Sequence, residues 1–195
     1  MRIHVTGNAG AGKTTFARRL GQELGLPVIH LDEIVWQSGW RRTPTEQLRG
    51  SLQSVAAPGS WIIEGVSGLI RGRADLVVFL DVPRHVCLLR CVRRNWRYLF
   101  RSRPELPAEC PEIRVFFALL RIIWGFPDVV GARIRAEAAV SSKYVVVRHP
   151  SRPDEWLHEF LLPQAAQQAP GAALGALFKP LLLRRGDSNR HENCP

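Results

Sequence analysis

The sequence predicts a doubly wound α/β domain on a mostly parallel sheet. Three observations carry that reading. Short apolar runs alternate with segments of helical period from residue 2 to about residue 162. One run, Leu76–Leu80, is apolar at every position, as a strand covered by helices on both faces must be. Asp32, Glu64 and Asp81 each follow an apolar run, on the carboxyl edge where open α/β sheets bind ligands.

The elements follow in order. Ile3 and Val5 alternate with polar neighbours, so residues 2–6 form a strand. Residues 14–24 form a helix with Phe16, Ala17, Leu20 and Leu24 on one face, stopped by Gly25 and Pro27. Residues 28–31 are a second strand. Residues 37–44 mix Gly, Ser, Pro and Trp and read as a loop. A helix over 45–57 is capped by Thr43 or Thr45 and ended by Pro58-Gly59. Trp61–Glu64 and Leu76–Leu80 are the third and fourth strands. Pro83 sits where a first helical turn tolerates it, opening a helix from Arg84 to about Phe100. Three prolines make 103–111 a loop, and 113–124 and 129–139 are helical. Tyr144–Val147 is the fifth strand and 154–162 the last helix.

The expected domain spans 1–163, with a helical insert or lid at about 95–140. From 164 to 195 the composition shifts to Gln, Ala, Gly and Pro, which predicts a flexible tail. Residues 172–183 are apolar and reach Arg184-Arg185, the pattern of a docking helix, but Pro180 interrupts it and favours a loosely packed tail.

The chain has 195 residues, enough for one domain with a core and a short tail. Apolar residues at 46% and charged ones at 23% exclude a largely disordered chain. Lys and Arg number 27 against 17 Asp and Glu, a net charge of +10. That balance admits nucleic acid, an anionic membrane surface or phosphorylated small molecules, and does not choose among them. Cys87, Cys91, Cys110 and Cys194 contain no CxxC pair, which excludes a disulfide scaffold, offers little to zinc and fits reduced thiols. The N-terminus has no secretory apolar region, and no run approaches the ~20 apolar residues of a membrane span. The expectation is a cytoplasmic protein.

Gly7-Asn8-Ala9-Gly10-Ala11-Gly12-Lys13-Thr14 matches G-x-x-x-x-G-K-[ST] throughout, between a strand and a helix, with Thr15 next. The glycines let backbone N–H groups turn inward around a phosphate, and the helix N-terminus adds its positive end. Lys13 reaches β- and γ-phosphates, and the Thr14 hydroxyl suits Mg²⁺, a hard cation that prefers oxygen. Such a metal gains help from an acid at another strand end. Glu64, before Gly65, is the candidate for that role through water. Asp32 is the candidate for an acceptor site, as base or orienter. Asp81 reads as a cap for the helix that follows.

Residues 84–121 hold nine Arg and three Glu. Arg90, Arg94, Arg97 and Arg101 recur along one helix stripe. Planar guanidinium groups suit polyphosphate, a nucleic-acid backbone, or simply water. Trp36 and Trp40 flank the loop near Asp32, either walling a pocket or burying the loop. Arg71 and Arg73 are placed to read an acceptor phosphate, which hints at a phosphorylated acceptor. His30 and His149 read as structural or solvent-facing.

This order of parts resembles the nucleoside-monophosphate-kinase-like branch of P-loop NTPases. Trp61-Ile62-Ile63-Glu64-Gly65 resembles the strand that carries the metal-associated acid there, with Glu in place of the usual Asp. Val66-Ser67 stands where adenylate kinases place Pro-Arg, which argues against an AMP-type acceptor. Leu80-Asp81-Val82-Pro83 resembles the fourth strand end of those kinases. Arg90 and Arg94 resemble their lid-base arginines, and 149–153 their adenine-contacting loop. His30-Leu31-Asp32, Trp36-x-x-Gly39-Trp40, the Glu64 strand and Cys110-Pro111-Glu112 are similar to the adenylate-kinase-like group named after DNA topology modulation. The resemblance spans about residues 1–162 and implies an ATP- and Mg²⁺-dependent kinase with a small-molecule acceptor. The rival is a nucleotide-dependent regulator that binds DNA through the basic helix and tail.

Overall fold

Five parallel strands form the central sheet. The computed structural model describes residues 1–57, 59–98 and 116–148, without the side chains of 95–98. They fall within one compact unit, Met1–Pro153. The strands are β1 (Arg2–Gly7), β2 (Val28–His30), β5 (Trp61–Glu64), β6 (Leu76–Leu80) and β7 (Tyr144–Val147). Counting only these five, the order is 2-3-1-4-5. That order places β1 at the centre, paired with β5 through Ile3↔Ile62 and with β6 through His4↔Val77.

Both faces of the sheet are covered, which is why β6 is buried at every residue. Helix α1 (Lys13–Leu24) buries Phe16, Ala17, Leu20 and Leu24, the stripe its spacing sets. Helix α3 (Thr45–Val55) and helix α4 (Gly68–Arg73) help close a core of Leu31, Leu52, Trp61, Ile63, Ile70 and Val77. Phe79 packs with Phe126 and Ile134 in a separate cluster. Helix α5 (Arg84–Tyr98) follows β6, and helices α6 (Phe116–Phe126) and α7 (Ala132–Val140) precede β7.

Several expected boundaries shift. β2 ends at His30, and Leu31 opens helix α2 (Leu31–Val35), whose first turn carries Asp32 and Glu33 where a helix N-terminus favours acids. The expected loop over 37–44 contains a hairpin, β3 (Trp36–Gln37) with β4 (Arg41–Arg42). Its turn sets Gly39 and Trp40 at positive φ and brings the Trp40 ring edge-on to Trp36 at 5.4 Å. Two-residue strands are too short to leave an alternating pattern. Neither threonine caps α3: Pro44 takes the cap position, and the Thr43 hydroxyl donates to the Ile34 carbonyl. Ser67 caps α4, a helix too short for its period to show. The two helices expected around residues 113–139 join through a π-type turn, Pro127–Gly131, since Pro127 has no N–H to continue the α ladder.

Among the described residues no helix is long and apolar enough to cross a membrane. The 103–111 loop, Cys110, His149, the 154–162 helix and the 164–195 tail lie outside the described residues, as do the side chain of Arg97 and all of Arg101.

Candidate active site

The glycine loop closes β1 and opens α1. Gly7 has φ +153°, and a Cβ there would stand 2.7 Å from the Leu80 carbonyl oxygen. Gly10 has φ +81°, and a Cβ would strike the backbone carbonyl of Cys87. Only glycine fits either place. Inside the loop, Ala11 N–H donates to the Asn8 carbonyl at 3.1 Å. Lys13 Nζ donates to the same carbonyl at 3.1 Å, so the lysine folds back over its own loop.

Thr14, on the first turn of α1, donates its hydroxyl to Glu64 Oε1 at 3.1 Å. Glu64 is 4% exposed. Burial alone would raise its pKa. The hydrogen bond from His30, the Lys13 charge and the Thr14 hydroxyl outweigh burial and hold the carboxyl below its ordinary value. His30 Nδ1 lies 2.9 Å from Glu64 Oε1, and that bond raises the His30 pKa against partial burial. Both site oxygens, the Thr14 hydroxyl and an ionised carboxylate, are hard donors of the kind Mg²⁺ takes, so the residues fit that ion. Among the described residues no group of three His, Cys, Asp or Glu is placed to hold a metal by itself.

Arg90 reaches the loop: its Nη1 lies 3.5 Å from the Ala11 carbonyl oxygen. Arg94, one turn on, contacts Cys91 Sγ at 3.8 Å within its own helix, and its buried Nε has no partner. Asp32 sits in the first turn of α2, half-buried, one residue from the β2 end. The structure thus gathers Lys13, Thr14, Glu64 and Arg90 around the loop. It shows no bond tying Arg94 or Asp32 to them.

Two expectations are corrected. Arg71 is buried, with Nε donating to Glu137 Oε2 at 2.7 Å, and Arg73 donates to the Gln53 carbonyl at 3.2 Å. Arg71 is thus committed inside the fold and does not point to a phosphorylated acceptor, while half-buried Arg73 has one nitrogen on a backbone carbonyl. Asp81 accepts from Arg135 at 2.8 Å, tying the β6 end to α7. Cys87 is buried and its thiol pKa is pushed up to about 11, chiefly by burial, which makes it an inert core group.

Sequence reasoning missed two residues. His30 was readable as Glu64's neighbour only through the pairing of β2 with β5, which sets His30 opposite Glu64. Asn8 counted as a free position of the motif, yet its Nδ2 donates to the Ile123 carbonyl on α6 at 2.8 Å.

A strand, a glycine loop ending in Gly-Lys-Thr, and a 2-3-1-4-5 parallel sheet define the P-loop kinase fold. One solved structure agrees in fold, and others are similar at lower scores. The YorR protein of Bacillus subtilis, solved in complex with phosphorylated GDP, is similar with a TM-score of 0.53 and 15% identity, over 88% of this chain and 100% of that chain. A sugar kinase from Janibacter has a TM-score of 0.49 and 19% identity, over 87% of this chain and 98% of its own. Shikimate kinase from Aquifex aeolicus has a TM-score of 0.45 and 21% identity, over 88% and 100%. Among curated proteins, threonine synthase-like 1 of Homo sapiens is 27% identical over 114 residues. The match takes in 48% of this chain, and the chain spans 15% of the length of that relative. No family model matches the chain.

Proposed function

We propose that the chain is a P-loop phosphotransferase that moves the γ-phosphoryl group of ATP to a small-molecule acceptor. One observation carries the reading. Lys13, Thr14 and a buried, ionised Glu64 meet beside a glycine loop whose backbone admits no side chain at Gly7 or Gly10.

Each residue has a task in this reading. The loop from Gly7 to Thr15 turns its N–H groups on the phosphates. Lys13 leaves the Asn8 carbonyl and donates to a transferring oxygen, where charge builds in the transition state. Thr14 and Glu64 hold Mg²⁺, Glu64 through water, and the ion supplies charge neutralisation on the phosphates. Arg90 brings a second cation over the loop, and Arg94 a third from one turn further along α5. Asp32 serves the acceptor hydroxyl as base or orienter, with Trp36 and Trp40 walling that side. The similarity to the topology-modulation group supports the same assignment at His30-Leu31-Asp32, and a cytoplasmic setting suits an ATP-dependent enzyme.

The test is ADP release by the full chain with Mg-ATP and a panel of nucleotides, nucleosides, sugars and small hydroxy compounds. Strong stimulation by one compound, lost in Asp32→Ala, bears the reading out and names the acceptor class. A flat response overturns it and turns attention to DNA binding with and without ATP, which falls steeply with salt if real.

A further inference from the structure

Asn8 occupies a position where the loop motif accepts any side chain. Here it is 1% exposed, and its amide nitrogen is committed. Nδ2 donates to the Ile123 carbonyl at 2.8 Å, across 115 residues of sequence. Only the nitrogen of a side-chain amide can donate, so a carbonyl partner fixes which end points at Ile123.

The acceptor explains the bond. Ile123 lies in α6, four residues before Pro127. In a continuing α-helix its carbonyl would take the N–H of residue 127, and proline has none. Ile123 is fully buried, where an unmet carbonyl is costly. The proline break therefore opens a carbonyl inside a helix, and the glycine loop supplies a donor to it.

The main chain of Asn8 does the second half of the work. Its carbonyl accepts both Ala11 N–H and Lys13 Nζ, each at 3.1 Å. One residue thus joins the turn of the loop and the resting place of its lysine to the break in α6.

We infer that Asn8 is a positioning residue: it anchors the phosphate loop to the proline break of α6 and so holds the loop in the shape that receives phosphates. The inference rests on the loop's binding nucleotide phosphate. Without the anchor, a segment with three glycines must be ordered at the moment of binding, and affinity bears that entropy cost. With it, Lys13 can exchange the Asn8 carbonyl for a phosphate while the carbonyl stays in place.

Calorimetric titration of ATP into the full chain tests this, alongside thermal unfolding. Asn8→Ala lowers ATP affinity about tenfold, the order of one buried hydrogen bond, and also lowers thermal stability. Adding Pro127→Ala returns an N–H to residue 127, in reach of the Ile123 carbonyl. The double variant regains stability, but its ATP affinity stays low because the loop is still unanchored. ATP affinity in Asn8→Ala within about twofold of the unaltered chain, inside the usual scatter of independent sites, overturns the inference. Recovery of affinity together with stability in the double variant overturns it too, since the loss was then one of folding alone. If the unaltered chain binds no ATP, the phosphate reading of the loop falls and this inference with it. If the chain binds and Asn8→Ala binds equally, only the inference falls.

Discussion

His30 and Glu64 stand opposite each other on β2 and β5, with His30 Nδ1 2.9 Å from Glu64 Oε1. The same oxygen accepts the Thr14 hydroxyl. Two strand ends and the first turn of α1 therefore meet on one atom.

Loss of His30 removes the hydrogen bond that does most to offset burial of Glu64. His30→Ala is expected to weaken apparent Mg²⁺ affinity by about 10- to 100-fold, the usual effect of losing a group that orients a ligand. ATP affinity measured without metal should change little. Titration of Mg²⁺ against turnover, with metal-free ATP calorimetry beside it, separates the two. Equal losses in both would mean that the variant has damaged the loop.

His4 gives the protein an acid limit. Its ring is buried in β1, donates through Nε2 to the Gly65 carbonyl at 3.1 Å, and has its pKa lowered to about 3, chiefly by burial. In the unfolded chain the ring titrates near the ordinary histidine value of 6.5. As pH falls below that value the unfolded state takes up a proton that the folded state refuses, so stability drops through this window. Above it both states are neutral and His4 has no effect. His4→Gln keeps a donor for Gly65 without the titration. Thermal melts of the two proteins should keep a constant gap above about pH 7, and the variant should gain on the parent as pH falls toward about 5. His30 runs the other way: its pKa is raised in the fold, so the stability it adds is full below 6.5 and fades as pH rises through the raised value.

Two glycines predict opposite outcomes for one substitution. Gly10→Ala meets both a left-handed backbone and the Cys87 carbonyl, and should cost about 2–3 kcal/mol or more, since neither obstacle can move cheaply. Gly50 lies inside α3 with open space around it. Gly50→Ala should add about 0.5–1 kcal/mol from helix propensity alone. Urea unfolding of both variants reads the contrast, and ATP affinity should fall in Gly10→Ala and hold in Gly50→Ala.

Arg71 is expected to matter for folding and not for the acceptor. Its guanidinium meets Glu137, which also accepts the Tyr144 hydroxyl at 2.6 Å. The Arg71 hydrogen bond holds the Glu137 carboxyl below its ordinary value, while burial and Glu137 push the Tyr144 hydroxyl up to about 12. Arg71→Met should cost about 1–3 kcal/mol in urea unfolding, with ATP affinity unchanged. A loss of ATP affinity with stability intact would return Arg71 to the site.

The sheet and its loop were legible because their signals are local. Eight consecutive residues spell the glycine loop, and runs such as Leu76–Leu80 declare buried strands without reference to anything else. What stayed hidden depends on residues far apart in sequence. Nothing near Asn8 hints at Ile123, and nothing near Arg71 hints at Glu137. The Trp36–Arg42 hairpin failed for a different reason: four paired residues are too few to show a period. Asp32 was placed correctly at the sheet's carboxyl edge, yet its short helix was invisible beside the stronger signal of β2.

The central position of β1 has a consequence in time. It is synthesised before either of its neighbours, since Ile3 pairs with Ile62 on one side and Leu76 on the other. At a ribosomal pace of ~5–20 residues per second, the stem of the loop waits roughly 4–15 s for its second neighbour. Through that interval Ile3 and Val5, fully buried in the finished sheet, lack at least one flanking strand. The strand that carries the loop is thus enclosed only after both neighbours have emerged, and a truncation before Leu76 leaves the phosphate loop translated with one side of β1 bare.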